Sequence, residues 1–262
     1  MGRRMTRLEQ YYNKFNEEKR LTRRHGNVEY VTTMEYIRRY LKEMPGAEIL
    51  DVGAGTGRYS VALAEEGYAV TAVELVKYNL GILKAKKSSV KAYQGNALNL
   101  SRFQDSSFDA VLLFGPMYHL YTREDKLRAL EEAKRVVRDG GLIFVAYCMN
   151  EYCIITHGFR DNYIGESIRR GKVREDFSTV SSEEDLYDYM RLEEIDDLVV
   201  RAGLRRLKII SADGPANYMR QSLNAMDEET YGLFLKYHLA TCERPELLGA
   251  AAHTVDILRC EK

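Results

Sequence analysis

One stretch constrains this chain more than any other: Ile49–Gly57, which reads ILDVGAGTG. Ile49, Leu50, Asp51 and Val52 suit a buried strand. They run directly into glycines at alternate positions, Gly53, Gly55 and Gly57. A helical pattern starts at once after them. A strand that ends in a glycine turn and opens a helix lets backbone approach a ligand closely and aims unpaired N–H groups at it. Such a turn predicts a nucleotide-like ligand, and it organises the reading of everything else.

Around the turn, strands alternate with helices. Residues 47–53 are the first strand, 57–66 a helix closed by Gly67, 68–74 the second strand and 77–87 the next helix. Residues 90–94 form the third strand. The fourth, 108–114 (FDAVLLF), is nearly all apolar, as a central parallel strand covered on both faces must be. Thr122 and Asp125 have capping-box spacing and open a helix whose Leu127, Leu130, Ala133, Val136 and Val137 face inward. Asp139-Gly140-Gly141 ends it, and 142–148 is the fifth strand. A helix over 193–202 and strands over 204–211 and 253–260 complete the pattern. This spacing predicts an α/β fold with a doubly wound, mostly parallel seven-stranded sheet.

The rest of the chain surrounds that sheet. Two helices precede it: 6–24, with Leu8, Tyr11, Tyr12 and Phe15 on one stripe, and 28–43, with Val31, Met34, Ile37 and Leu41 on one face. His25-Gly26-Asn27 separates them, and Pro45-Gly46 stops the second. Residues 1–45 therefore read as an N-terminal helical cap on a domain spanning 46–262. Two insertions, about 150–192 with a helix over 151–170 and 213–250 with a helix over 227–242, read as a lid.

Bulk properties narrow the function. Lys and Arg total 39, as do Asp and Glu, so the formal net charge is zero. A nucleic-acid binder shows a basic excess or a basic face. Only residues 1–24 lean that way, with eight Lys/Arg against three Glu, and this run reads as a solvated amphipathic helix. Cys148, Cys153, Cys242 and Cys260 form no C-x-x-C pair and have no histidine at zinc-finger distance. They predict reduced thiols, no metal and a cytoplasmic protein. The N-terminus lacks the apolar core of a signal peptide, and no apolar run approaches the roughly 18 residues of a membrane span.

The turn itself separates two ligands. A dinucleotide site prefers G-x-G-x-x-G, but position 58 is Arg58, so a nicotinamide oxidoreductase is disfavoured. Glu74 ends the second strand about 20 residues beyond the turn, where a carboxylate can accept both ribose hydroxyls. Gly95-Asn96-Ala97 follows the third strand, where an amide can bond a base; the alternative for Asn96 is a simple turn residue. All three elements lie at carboxyl ends of strands, where open α/β sheets bind ligands. The ligand reads as an adenine nucleoside derivative.

ILDVGAGTG, VELV, GNAL, FDAVLLFGPMYHL and DGGLIFVAY together resemble a class I S-adenosylmethionine-dependent methyltransferase. The resemblance covers about residues 46–149 most specifically. GPMYHLYTREDKLRAL, RLTRRHGNVEY and YHLATCERPELLG extend it, less specifically, to a bacterial subgroup with a G-P-M-Y-H-L loop after strand four. It implies the Rossmann-like methyltransferase fold, S-adenosylmethionine as cofactor and S-adenosylhomocysteine as product. It also implies roles. Asp51 orders the turn and reaches toward the methionine amino group, the alternative being a loop organiser alone. Gly53, Ala54, Gly55 and Gly57 run along the methionine and ribose. Glu74 holds the ribose hydroxyls with Leu75 against the adenine, and Asn96 and Ala97 meet the adenine. Phe114 and Gly115 face the sulfonium. Tyr11, Tyr12, Arg20 and Arg24 are candidates from the N-terminal helices, an arginine serving the methionine carboxylate.

Methyl transfer is an in-line displacement that needs the nucleophile about 3 Å from the methyl carbon. The loop after strand four, Gly115-Pro116-Met117-Tyr118-His119, is where acceptor groups belong. It echoes the N/D-P-P-Y motif of amino-group methyltransferases, but Gly115 offers no side-chain acceptor, which argues against methylation of adenine or glutamine. Tyr118 suits a pocket wall. His119 is the candidate general base, its alternative a histidine bonded to backbone to shape the loop. His238 and His253 read as core residues, and so does Cys148. The leading expectation is transfer to a small-molecule acceptor. RNA or protein methylation, or a non-catalytic S-adenosylmethionine-binding module, are the alternatives.

Overall fold

The computed structural model describes residues 7–12 and 23–262. Its strands are β1 (Glu48–Val52), β2 (Ala69–Glu74), β3 (Lys91–Gln94), β4 (Phe108–Leu113), β5 (Val137–Cys148), β6 (Arg205–Ser211) and β7 (His253–Arg259). They form one sheet in the order β3-β2-β1-β4-β5-β7-β6. The first five pair in parallel, and β7 runs antiparallel between β5 and β6. This is the mostly parallel seven-stranded sheet that the alternation predicts.

Both faces of the central strands are buried, and neighbouring residues go to opposite sides. Ile49, Leu112 and Phe144 pack with Met34, Ile37 and Leu41 of α2 (Arg24–Leu41) and Leu63 of α3 (Arg58–Glu65). Leu50, Val111 and Ile143 pack on the other side, with Ala129, Leu130 and Ala133 of α5 (Arg123–Val136) and Ile195, Leu198 and Val199 of α8 (Leu192–Arg201). Complete burial of each large aliphatic side chain contributes about 1.5–3 kcal/mol. Thr122 caps α5, its Oγ1 accepting from Asp125 N at 3.1 Å. Between β2 and β3 lies α4 (Lys77–Ala85).

Three expectations give way. First, α1 (Arg7–Tyr12) is followed by residues 13–22, which lie outside the described residues, so Phe15 and Arg20 have no structural account. The break expected at His25-Gly26-Asn27 is absent, since α2 already starts at Arg24. The second insertion holds that turn in place. It carries α9 (Arg220–Ala225), α10 (Glu228–Thr241) and α11 (Pro245–Leu248). The His25 ring meets Asn224 Oδ1 at 3.2 Å, and Asn27 Nδ2 donates to the Tyr231 hydroxyl at 3.3 Å. Second, Asp139-Gly140-Gly141 does not separate helix from strand. β5 begins at Val137, and the triplet is an irregularity within it, with Gly140 at φ +75° donating its N–H to Cys260 O. Third, the helix over 151–170 is broken. It consists of α6 (Asn150–Cys153), a π-helical stretch Ile154–Arg160, and α7 (Ile164–Arg169). The Thr156 hydroxyl bonds back to Tyr152 O, and Asp161 N reaches Thr156 O, five residues back, before Asn162 reverses the chain at φ +64°.

Candidate functional site

The carboxyl ends of β1, β2, β3 and β4 surround a cavity of about 250 Å³. Its floor is the glycine turn. Gly53 N and Ala54 N both donate to Val73 O, at 2.8 and 3.2 Å, which ties the turn to β2. Gly53, Gly55 and Gly57 all have positive φ, +80°, +57° and +82°. Gly53 serves close approach as well. A Cβ there would lie 2.7 Å from Pro116 Cδ, so the turn and the loop after β4 are pressed together.

Asp51, Gly53, Ala54 and Gly55 line the cavity, and Glu74, Leu75, Asn96 and Ala97 close the side expected for the nucleoside. Glu74 is 5% exposed. Its Oε2 accepts Gly55 N at 2.8 Å and its Oε1 accepts Val76 N at 2.7 Å, so one carboxylate braces the turn and the start of α4. Burial raises its pKa against these hydrogen bonds. Asp51 is buried behind the turn and accepts from Ser60 Oγ at 2.5 Å. Burial pushes its carboxyl up to about 7, with the Glu74 charge acting in the same direction and the Ser60 bond opposing. Asn96 spends its Oδ1 on Leu98 N at 3.0 Å. The side chain is thus both turn former and cavity wall, and its amide NH₂ remains to meet a ligand.

Phe114, Gly115, Tyr118 and His119 line the opposite side, with Tyr12 from α1. His119 Nδ1 lies 2.9 Å from Leu186 O. A carbonyl only accepts, so Nδ1 carries the proton and Nε2 accepts from the Tyr12 hydroxyl at 3.0 Å. Burial pushes the imidazole down to about 4, against the Leu186 bond. It is neutral at physiological pH and weakly basic. The first insertion closes over this loop: Asp188 N donates to Tyr118 O at 2.8 Å, and the Tyr121 hydroxyl to Asp185 O at 2.7 Å. Lys126, 4% exposed, pairs with Asp188 Oδ2 at 2.7 Å.

Three expected residues lie away from the cavity wall. Gly57 packs: a Cβ there would meet Leu83 Cδ1 at 2.2 Å, so the glycine admits α4 against the turn. Arg24 is turned to the second insertion, paired with Glu228 and 5.4 Å over the Tyr231 ring. Tyr11 packs edge-on against Tyr12 and Tyr187, with ring centroids 5.2 and 6.4 Å away. Of the histidines read as core, His238 is buried, its Nε2 3.2 Å from Ala212 O.

Among the wall residues not anticipated are Arg58 and Glu29. Arg58 sits 4.0 Å over the Tyr30 ring and donates from Nη2 to Asn27 Oδ1 at 3.1 Å, while its buried Nη1 has no hydrogen-bond partner. Its place directly after the glycine turn was a signal available in the sequence. Glu29, in the first turns of α2, had none.

Residues 50–145 match the family model of a methyltransferase domain. The chain is 29% identical over 147 residues to the Homo sapiens protein named "Probable tRNA methyltransferase 9B", covering 50% of this chain and 30% of that one. It is 36% identical over 106 residues to demethylmenaquinone methyltransferase of Renibacterium salmoninarum, covering 39% of this chain and 42% of that protein. The chain thus spans less than half the length of these relatives. Among solved structures it is similar to an S-adenosylmethionine-dependent methyltransferase of Thermotoga maritima, described as a possible histamine N-methyltransferase. The TM-score is 0.61 at 21% identity, over 97% of this chain and 99% of that one. At that identity the likeness speaks for the fold. Among the described residues no helix is long and apolar enough to cross a membrane. Fold and family match agree: residues 50–145 match a methyltransferase domain, and they lie in the mostly parallel seven-stranded sheet of the Rossmann-like methyltransferase fold.

Proposed function

We propose that the chain transfers a methyl group from S-adenosylmethionine to a small-molecule acceptor. The observation that carries the donor half is Glu74. Its carboxylate stands in the cavity wall at the end of β2 with both oxygens fixed by backbone N–H groups. Facing the cavity, the carboxylate suits the two ribose hydroxyls as an acceptor. Leu75, Asn96 and Ala97 then flank the adenine, and the free Asn96 amide donates to a ring nitrogen. Asp51 and the Gly53–Gly55 backbone serve the methionine amino end. Arg58, with a buried Nη1 that has no partner, suits the methionine carboxylate in the role expected of Arg24. Phe114 and Gly115 border the sulfonium, whose chemistry is an already activated methyl group.

The acceptor half is the wall of Tyr118, His119, Tyr12 and Glu29. We assign residues 1–45 to a cap, 46–262 to the catalytic domain, and the insertions at about 150–192 and 213–250 to a lid. Closure by that lid supports a small acceptor. The charge of the wall weighs against RNA: among the described lining residues only Arg58 is a fixed cation, whereas phosphate binding rests on several.

Calorimetry tests the donor half, with S-adenosylhomocysteine binding expected and NAD not; the reverse sinks the reading. A labelled-methyl screen against amines, phenols, carboxylates and tRNA tests the acceptor half. Label in tRNA alone would overturn the small-molecule assignment.

A further inference from the structure

The cavity carries one carboxylate more than the methyl donor uses. Asp51, Glu74 and Glu29 line it, and the first two belong to the donor half. Glu29 projects from α2, 14% exposed, with its Oε2 3.7 Å from Nδ1 of His253 at the start of β7. That nitrogen donates to Asp213 Oδ2 at 2.7 Å. Asp213 is completely buried and committed on all sides. Its Oδ1 accepts Ala252 N and His253 N, each at 3.1 Å, and its Oδ2 also accepts Asn217 Nδ2 at 2.7 Å. Among the described residues these three form the one His/Asp/Glu group whose ligand atoms converge within 4.8 Å. Asp213 is saturated by four donors, so the group is a chain of charge: a fixed Asp213, an imidazole and a carboxylate facing the cavity. Burial alone would lower the His253 pKa. The Glu29 charge, with Cys148 and Asp213 acting the same way, raises it well above the ordinary value. The His253 ring thus lies beside the Glu29 carboxylate, with Nδ1 hydrogen-bonded to Asp213 and Glu29 Oε2 approaching the same nitrogen at 3.7 Å.

The surroundings suit a cation. The Tyr118 ring lies beside His253, centroids 6.5 Å apart, and Tyr118, Tyr12, Tyr59 and Phe114 all present aromatic surface to the cavity. Aromatic faces attract a cation. A carboxylate or phosphate acceptor would meet like charge at Glu29. A hydroxyl acceptor must discard its proton during transfer, and His119, neutral and weakly basic, is a poor recipient.

We propose that the methyl acceptor is a small amine whose nitrogen is held at Glu29, with His253 and Asp213 as positioning residues behind that carboxylate. This assignment rests on the transfer function proposed above. The amine gives its extra proton to solvent on entering the cavity. Its lone pair then forms the C–N bond while the C–S bond breaks and its electron pair stays on sulfur. The positive charge moves from sulfur to nitrogen, and the product leaves as the N-methylammonium ion, so that one proton is released per turnover. A carboxylate fixed at the nitrogen stabilises charge where it develops.

The test uses the full chain, a panel of small primary and secondary amines, and phenol and carboxylate controls. Calorimetry with S-adenosylhomocysteine comes first; no binding there refutes the parent reading. With binding established, label in amines supports the proposal, and label only in phenols, carboxylates or tRNA, or in no amine, overturns it. Glu29→Gln is expected to raise the amine KM at least tenfold and leave the S-adenosylhomocysteine Kd within twofold. An unchanged amine KM, or a loss confined to S-adenosylhomocysteine, assigns Glu29 elsewhere and overturns it. His253→Gln, with its backbone N–H still bonded to Asp213, should raise the amine KM severalfold without moving that for S-adenosylmethionine. Equal rises in both would mark a structural role and remove His253 from the proposal.

Discussion

Replacing Glu74 by alanine tests the donor half most directly. A carboxylate offers about four lone-pair sites. Here one oxygen accepts Gly55 N and the other Val76 N, at 2.8 and 2.7 Å, and the Asn79 side chain and Leu75 N bond it as well, so a ribose diol would add to a carboxylate already held by protein donors. A hydrogen bond to a charged group contributes about 1.5–3 kcal/mol, less what hydration of the free carboxylate already supplied. Two such bonds, discounted in that way, amount to about 2 kcal/mol, or roughly a 30-fold rise in Kd. The variant also orphans two backbone N–H groups and loosens the turn, so 30-fold is the lower part of the expected range. Glu74→Gln keeps the shape and one carbonyl oxygen but can accept only one of the two N–H groups, and should fall between wild type and alanine. Calorimetric titration with S-adenosylhomocysteine near neutral pH reads the effect directly, with far-UV circular dichroism establishing that each variant is folded. A folded Glu74→Ala protein whose Kd stays within twofold of wild type would remove Glu74 from the ribose site and with it the main support for the donor assignment.

Other residues make separate predictions. Gly57→Ala forces φ +82° on an L-residue and drives a Cβ to 2.2 Å from Leu83; thermal melting should show a loss of about 2–4 kcal/mol, whereas an unchanged Tm would mean α4 can retreat from the turn. Asp51 has a folded pKa of about 7 against an ordinary 3.8, so the native state binds the proton more tightly and loses stability as pH rises between those values, by on the order of 4 kcal/mol, with no further loss above. Asp51→Asn should remove that slope, so melts across this window should find the variant gaining on wild type as pH rises; parallel curves would refute the buried acid. His119→Ala should lower turnover and leave S-adenosylhomocysteine affinity within twofold, because the ring holds the Tyr12 hydroxyl on the acceptor side; normal turnover would take His119 out of the site.

The side of the cavity built on the glycine turn was legible because its information is local. A glycine turn needs positive φ at fixed offsets, and strand and helix lengths then set how far on Glu74 and Asn96 must fall. The two-residue period of β4 and the three- and four-residue steps of α5 likewise follow from their own sequences. What failed depended on partners distant in the chain. His25-Gly26-Asn27 looks like a helix break until Asn224 and Tyr231, about 200 positions away, bond to it. Arg24 has the charge for a carboxylate, but Glu228 and Tyr231 take it first. Gly57 fits a ligand turn by pattern, yet Leu83 decides its role. Glu29 looks like any polar helix residue, and only its proximity to His253 sets it apart.

The two halves of the cavity differ in how they can change. Gly53 and Pro116 touch so closely that neither can gain bulk without parting the turn from the loop, which fixes the cavity floor. The opposite wall is held otherwise. Its Tyr118 and His119 are tied to the first insertion through backbone atoms, the Tyr118 carbonyl to Asp188 N and the His119 ring to the Leu186 carbonyl. Side chains along residues 183–189 can therefore vary while these two ties persist, provided the buried Lys126–Asp188 pair is kept. Leaving that Lys126 ammonium without its carboxylate would cost about 3 kcal/mol or more and release the insertion from the loop.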